Sequence, residues 1–175
     1  MQSPPVALCL GGAACVWDDL ERAREIVGER EVIVVASNFA GVSYPGRLDA
    51  WVTLHPERMR AWEADRAARK LNTDYLTFSG RALHNTTARL VLDRYRAASG
   101  IYAAQVALEV LGACGAILCG VPMDEDAGHI HWPGEWPVLS RYRTAVEAIR
   151  APIKSMSGWT ADVLGLPDAE WIEGL

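Results

Sequence analysis

Short apolar runs alternate along this chain with longer stretches whose apolar residues return every three or four positions. The first run, Val6-Ala7-Leu8-Cys9-Leu10, ends at Gly11 and Gly12. A run that is apolar at every position has no solvent face, so it predicts a strand covered on both sides. Similar runs predict strands over 32–36 (Val-Ile-Val-Val-Ala), 48–54, 75–78, 116–121 and 153–156. Between the first two, Trp17, Leu20, Ala23 and Val27 share one face of a helix over Val16–Val27. Pro56 followed by Glu57 signals a helix start, with Met59 and Trp62 on the apolar side of a helix reaching about residue 71. Ile101, Ala104, Leu108 and Leu111 share a face of a helix over 99–111, with Ser99 as its N-cap and Gly112 closing it. Helices are also predicted over 139–149 and from about Thr160. Residues 80–87 and 122–137 read as loops, and 89–95 fits either a strand or a helix.

Strands alternating with helices predict an α/β fold. The expected form is a Rossmann-like three-layer sandwich, with a mostly parallel sheet and helices on both faces. The 175 residues read as a single Rossmann-like domain, residues 1–175. In such sheets ligands sit beyond the carboxyl ends of the strands, where strand order reverses. That rule gathers Gly11 to Ala14, Ser37-Asn38-Phe39, Thr53, His55 and Glu57, Ser79-Gly80, Pro122-Met123-Asp124 and Met156-Ser157-Gly158 at one end of the sheet.

Composition narrows the classes of function. Lys and Arg number 17 against 22 Asp and Glu, a net charge of -5, and no basic patch of the kind a nucleic-acid binder needs stands out. Arg58, Arg60, Arg66, Arg69 and Lys70 cluster, but Glu57, Glu63 and Asp65 are interleaved with them, which reads as a solvated helix face. No apolar run approaches membrane-spanning length, and the opening Met1-Gln2-Ser3-Pro4-Pro5 lacks the marks of a signal peptide, so a cytoplasmic protein is expected. The four cysteines form no CxxC pair, and Cys9 and Cys119 fall in expected buried strands as reduced thiols.

Candidate chemistry lies in two places. Gly11-Gly12-Ala13-Ala14 after the first strand, and Ser99-Gly100 opening a helix, are turns of small residues at helix starts. Helix starts offer unpaired N–H groups and a partial positive charge, which favour phosphate. Small residues let a backbone approach a ligand, and they equally let a tight turn pack. The glycine turn is neither GxGxxG nor a Walker A loop. Asn38, after an apolar strand, suits either a base or ribose contact or a turn cap. The second place is the loop carrying Asp124, Glu125, Asp126, His129, His131 and Glu135. Carboxylate and imidazole at a strand end fit acid–base chemistry, a divalent metal site or a solvated loop. Trp132 and Trp136 fit a lid over a ligand or an anchor to the core.

The string Ala98-Ser99-Gly100-Ile101-Tyr102 through Gly120-Val121-Pro122-Met123-Asp124 resembles the second half of the bacterial sialyltransferases of glycosyltransferase family 42. It is also similar to related 6-hydroxymethylpterin diphosphokinase-like proteins. Those families carry a glycine-rich first loop, an Asn after the second strand, a Ser-Gly helix start and a strand ending in Gly-hydrophobic-Asp. Gly11-Gly12, Asn38, Ser99-Gly100 and Gly120-Val121 stand at those places, with Asp124 displaced by Pro122-Met123, and the ending 153–158 is similar too. Over nearly its whole length the chain resembles proteins of phage and prophage genomes that have no assigned activity.

The sialyltransferase resemblance implies that Gly11, Gly12, Ala13, Asn38, Ser99 and Gly100 hold a cytidine nucleotide donor. It implies that His131 or His129 acts as base; in a transferase, His131 oriented by Asp124 or Asp126 would deprotonate the acceptor hydroxyl. The chain departs from the family in two ways. Its first loop lacks the polar side chains of the usual Gly-Asn-Gly-Pro-Ser, and residues 121–141 contain no tyrosine to steady a leaving phosphate. Two functions are therefore expected. One is a metal-independent transferase on a nucleotide or nucleotide-sugar donor. The other is a non-catalytic phage accessory or assembly module on the same fold. Diphosphoryl transfer to a pterin would need Mg²⁺ held by the carboxylates of 124–126. No further cofactor, nucleic acid or membrane is expected as partner. The apolar C-terminal residues 166–172 suit docking on a second copy or phage protein, or folding back on their own domain.

Overall fold

The computed structural model describes residues 3–84, 86–131 and 139–175. Its strands are β1 (Val6–Leu10), β2 (Val32–Ser37), β3 (Ala50–Thr53), β4 (Leu76–Ser79), β5 (Arg89–Leu90), β6 (Gly115–Cys119) and β7 (Ile153–Ser155). Its helices are α1 (Val16–Val27), α2 (Ala40–Ser43), α3 (Pro56–Ala68), α4 (Ser99–Glu109), α5 (Leu139–Glu147), α6 (Gly158–Leu164) and α7 (Ala169–Glu173). The strands form one sheet in the order β5-β4-β3-β2-β1-β6-β7, with every pairing parallel. Strand order reverses between β1 and β6, where Leu10 pairs with both Ala36 and Cys119.

The unbroken apolar runs are explained by what covers each face. Side chains alternate across a strand. Ala7, Cys9, Val35, Val52, Ala116 and Leu118 pack on one face with Ile101, Ala104 and Val146 of α4 and α5. Val6, Leu8, Leu10, Val34, Trp51 and Ile117 pack on the other with Val16, Leu20, Met59 and Ile172 of α1, α3 and α7. This is the expected Rossmann-like three-layer sandwich, and its sheet is wholly parallel. Burial pushes the thiols of Cys9 and Cys119 far above their ordinary range, leaving them as small apolar side chains. No helix among the described residues is long and apolar enough to cross a membrane.

Several local expectations are corrected. Ala98, not Ser99, is the N-cap of α4, because its extended backbone (φ -71°, ψ 159°) precedes the first helical residue. The ambiguous segment 89–95 gives only the two-residue edge strand β5. The short helix α2 follows Phe39, whose flanking Gly and Ser gave no periodic signal. The C-terminal segment folds back: Asp168 caps α7 by accepting from the Trp171 amide at 2.8 Å, and Ile172 is buried beneath α1.

Arg66 departs most from the solvated face expected for α3. Its side chain is fully buried, and its guanidinium donates to the carbonyls of Gly41, Tyr44, Gly46 and Asn72 and to Oδ1 of Asn72. Burial lowers its pKa, and Tyr75 lies 5.7 Å below the guanidinium carbon. No carboxylate is needed because the forked donors are satisfied by carbonyl oxygens.

Candidate functional site

A cavity of about 400 Å³ opens at the carboxyl ends of β1, β2, β3 and β6, at the reversal of strand order. It brings together the sequence candidates Gly11, Gly12, Asn38, Ser99, Gly100, His129 and His131. Ala13 is buried behind this wall and pairs with His129 in an isolated antiparallel bridge.

The small residues serve close packing first. A Cβ on Gly11 would lie 2.3 Å from the Gly120 carbonyl oxygen and 2.5 Å from a methyl of Val121, and one on Gly100 would lie 2.4 Å from the same methyl. Val121 thus wedges the end of β1 against the start of α4. A Cβ on Gly12 would lie 2.7 Å from Nε2 of His129. Donors nevertheless remain. The amides of Ile101 and Tyr102 return to the Ala98 carbonyl, whereas those of Ser99 and Gly100 take no protein acceptor among the described residues.

Asn38 sits with φ at +48°, a left-handed conformation that Asn tolerates better than most residues. Its Nδ2 donates to Ser99 Oγ at 3.0 Å, its Oδ1 accepts from Thr53 Oγ1 at 2.8 Å, and its carbonyl accepts from Trp51 Nε1 at 2.7 Å. It therefore ties the ends of β2 and β3 to α4 and presents the edge of its amide to the cavity.

The two loop histidines occupy different environments. Ile130 donates to the Gly12 carbonyl at 3.0 Å, which lays the segment along the glycine turn. The His131 amide donates to Nδ1 of His129 at 2.9 Å, placing the proton of the neutral ring on Nε2, the atom facing Gly12. Burial first, then the neighbouring His131, lowers the His129 pKa, which keeps that ring neutral. The His131 ring is more exposed and stacks on Phe39 with centroids 3.9 Å apart.

Asp124 does not orient either histidine. Its carboxylate accepts from the Trp159 amide at 3.3 Å and faces Arg143 at 3.5 Å, while Arg143 covers the Trp159 ring at 5.0 Å and donates to the Met123 carbonyl. This arrangement anchors α5 and α6 to the end of β6. No three His, Cys, Asp or Glu side chains come together as a metal-binding group among the described residues. Trp132, Glu135 and Trp136 lie outside the described residues.

Three features of the site carried no chemical role in the sequence reading, although His55 and Glu57 were placed at this end of the sheet. The first is a histidine–carboxylate pair on the cavity wall, with His55 Nδ1 3.4 Å from Glu57 Oε1. Its signal was present in Thr53-Leu54-His55-Pro56-Glu57, where Pro56 starts α3 directly after His55 at the end of β3, and both His55 and Glu57 line the cavity. The second is Arg58, in the first turn of α3, whose exposed guanidinium lines the cavity and has no ion pair among the described residues. The third is buried Asp19, which accepts from the Gly120 amide at 2.8 Å and the Ser157 hydroxyl at 2.6 Å. That contact joins the ends of β6 and β7 to α1, and no local pattern announced it.

The cavity can therefore offer ring surfaces, free backbone donors, a cationic edge and imidazoles within one enclosure. Compared with known proteins, the chain matches no family model, no curated protein and no solved structure.

Proposed function

We propose that the cavity binds a nucleotide or nucleotide sugar, and that the protein is a transferase acting on that donor. One observation carries the reading: ring and apolar surfaces from Phe39, Trp62 and Met123 share an enclosure of about 400 Å³ with the unpaired Ser99 and Gly100 amides and Arg58. A planar base would lie against the former, and a phosphate would take the amides and guanidinium. The position at the strand-order reversal agrees with the general rule for such sheets.

In the transfer step, an acceptor hydroxyl would lose its proton to a histidine as its oxygen bonds to the donor's anomeric carbon. The nucleotide would leave with the electron pair of the broken bond. His131 is the base of this reading, its ring held by Phe39. His129 is better suited to donate its Nε2 proton toward the phosphate side.

A thermal-shift series with nucleoside mono- and diphosphates, nucleotide sugars and pterins, with and without Mg²⁺, tests the binding. A ligand at about 100 times its Kd stabilises by roughly 2.7 kcal/mol, a rise of about 5–10 °C in Tm at this size. No rise with any of them would end the nucleotide reading.

A second reading, a non-catalytic binding module, is favoured by the commitment of Asp124 to Arg143 and Trp159. Its signature would be a tight nucleotide complex with no release of the nucleotide from any sugar donor.

A further inference from the structure

A second cavity, of about 330 Å³, adjoins the first and shares Leu54, Arg81 and Tyr142 with it. Its wall carries three arginines, Arg81, Arg96 and Arg141, against one carboxylate, Asp93. In a chain whose net charge is -5, this is a local excess of positive charge.

The arginines come from three separate places in the fold. Arg81 follows β4 in a turn closed by Ser79, whose hydroxyl donates to the Arg81 carbonyl at 2.7 Å. Arg96 takes a left-handed conformation, φ +54°, and its amide donates to Asp93 Oδ1 at 2.9 Å. Arg141 stands in the first turn of α5. Elsewhere, Arg22, Arg66, Arg94 and Arg143 close on carboxylate or carbonyl oxygens. The guanidiniums of Arg81, Arg96 and Arg141 make neither an ion pair nor a hydrogen bond among the described residues. Asp93 neither forms an ion pair with any of them nor balances their number, and one of its oxygens is held by the Arg96 amide.

We infer that this second chamber binds an oxyanion, a phosphate or carboxylate group, carried by the second substrate. An oxyanion would relieve the mutual repulsion of the arginines and accept their forked donors. The assignment to a second substrate rests on the first cavity holding the donor. Binding of the anion itself does not. Because Arg81 and Tyr142 belong to both chambers, an anchored acceptor would lie against the wall that the donor also touches.

The test is calorimetric titration of inorganic phosphate, and separately of succinate, into the full chain and into two variants. One is the double variant R96Q/R141Q and the other is R60Q, at an arginine that lines neither cavity. All the substituted side chains are exposed, and a thermal melt of each variant checks its fold. Saturable binding is expected, weakened about tenfold or more in R96Q/R141Q and about twofold or less in R60Q. The better-bound anion identifies the group. No saturable binding of either anion overturns the inference, as does binding that survives R96Q/R141Q or falls as much in R60Q. Titrating cytidine monophosphate into the same proteins keeps the two readings apart. Nucleotide binding without anion binding removes only the second chamber, and anion binding without nucleotide binding removes only the donor site.

Discussion

Asn38 donates to the hydroxyl of Ser99 at 3.0 Å across a sequence separation of 61 residues. Two positions selected separately as ligand contacts are thus first a contact with each other. Asn38→Gly keeps the left-handed backbone but removes both side-chain hydrogen bonds, leaving Thr53 Oγ1 without its acceptor. The expected loss is about 1–3 kcal/mol in urea unfolding, with weaker nucleotide binding because the start of α4 is released. Unchanged stability would mean that water replaces the amide without cost.

Gly100 and Val121 form a steric couple. Gly100→Ala is expected to destabilise by about 1–3 kcal/mol, since its new methyl meets a Val121 methyl at 2.4 Å. In Val121→Ala that methyl is gone, so the double variant should be markedly more stable than the sum of the single losses. Strict additivity in the double-mutant cycle would show that the clash is relieved by backbone movement instead.

Arg66→Met removes the buried guanidinium and orphans the carbonyls it serves. A loss of about 3 kcal/mol or more is expected from chemical denaturation, against less than ~0.5 kcal/mol for the exposed neighbour Arg60→Met.

The pKa of His129 is lowered in the folded protein, so as pH falls the unfolded chain takes up its proton first. The stabilising contribution is complete above the unfolded value of about 6.5 and is lost as pH falls from there through the folded value. His129→Gln should therefore show a shallower fall in Tm below about pH 6.5 than the parent. Parallel curves would mean that the ring titrates alike in both states.

The two imidazole positions separate kinetically. If turnover with a nucleotide sugar is found, His131→Ala is expected to lower kcat at least ~100-fold while leaving nucleotide affinity within about twofold. His55→Ala is the comparison, because His55 has Glu57 to orient it and also faces the cavity. Loss of kcat in His55→Ala with His131→Ala unaffected would transfer the role of base to His55.

The fold was legible because the central strands β1, β2 and β6 carry their burial in short apolar runs, and because Gly and Pro mark many of the ends, whereas the exposed edge strand β5 left no such run. The site was legible only where it lies in the turns of small residues that follow those runs or open α4. Gly11, Gly12, Asn38, Ser99 and Gly100 all reach one cavity because parallel strands end at one edge of the sheet. What failed was anything set by the rotation of a side chain or by contacts between distant segments. The charge pattern of α3 looks solvated at Arg66, yet helical phase turns that one arginine inward beneath the 41–46 segment. Asp124 sits at the expected strand end, but Trp159 and Arg143 reach it first, and neither is near it in sequence. Asp19 looked like an ordinary acidic residue in the first turn of a helix, and only the approach of Gly120 and Ser157 explains its burial.

The reversal of strand order has a consequence for the order of events in folding. β1 must wait for β6, whose pairing partner positions lie about a hundred residues away, before the central edge of the sheet is complete. Until that crossover closes, Gly11 and Val121 are not neighbours and the pocket does not exist. Long-range parallel pairing is intrinsically slow. A ligand that needs the finished pocket can bind only after that closure. Its kinetic effect should thus be borne by the escape rate from the native state, with the refolding rate left as it is.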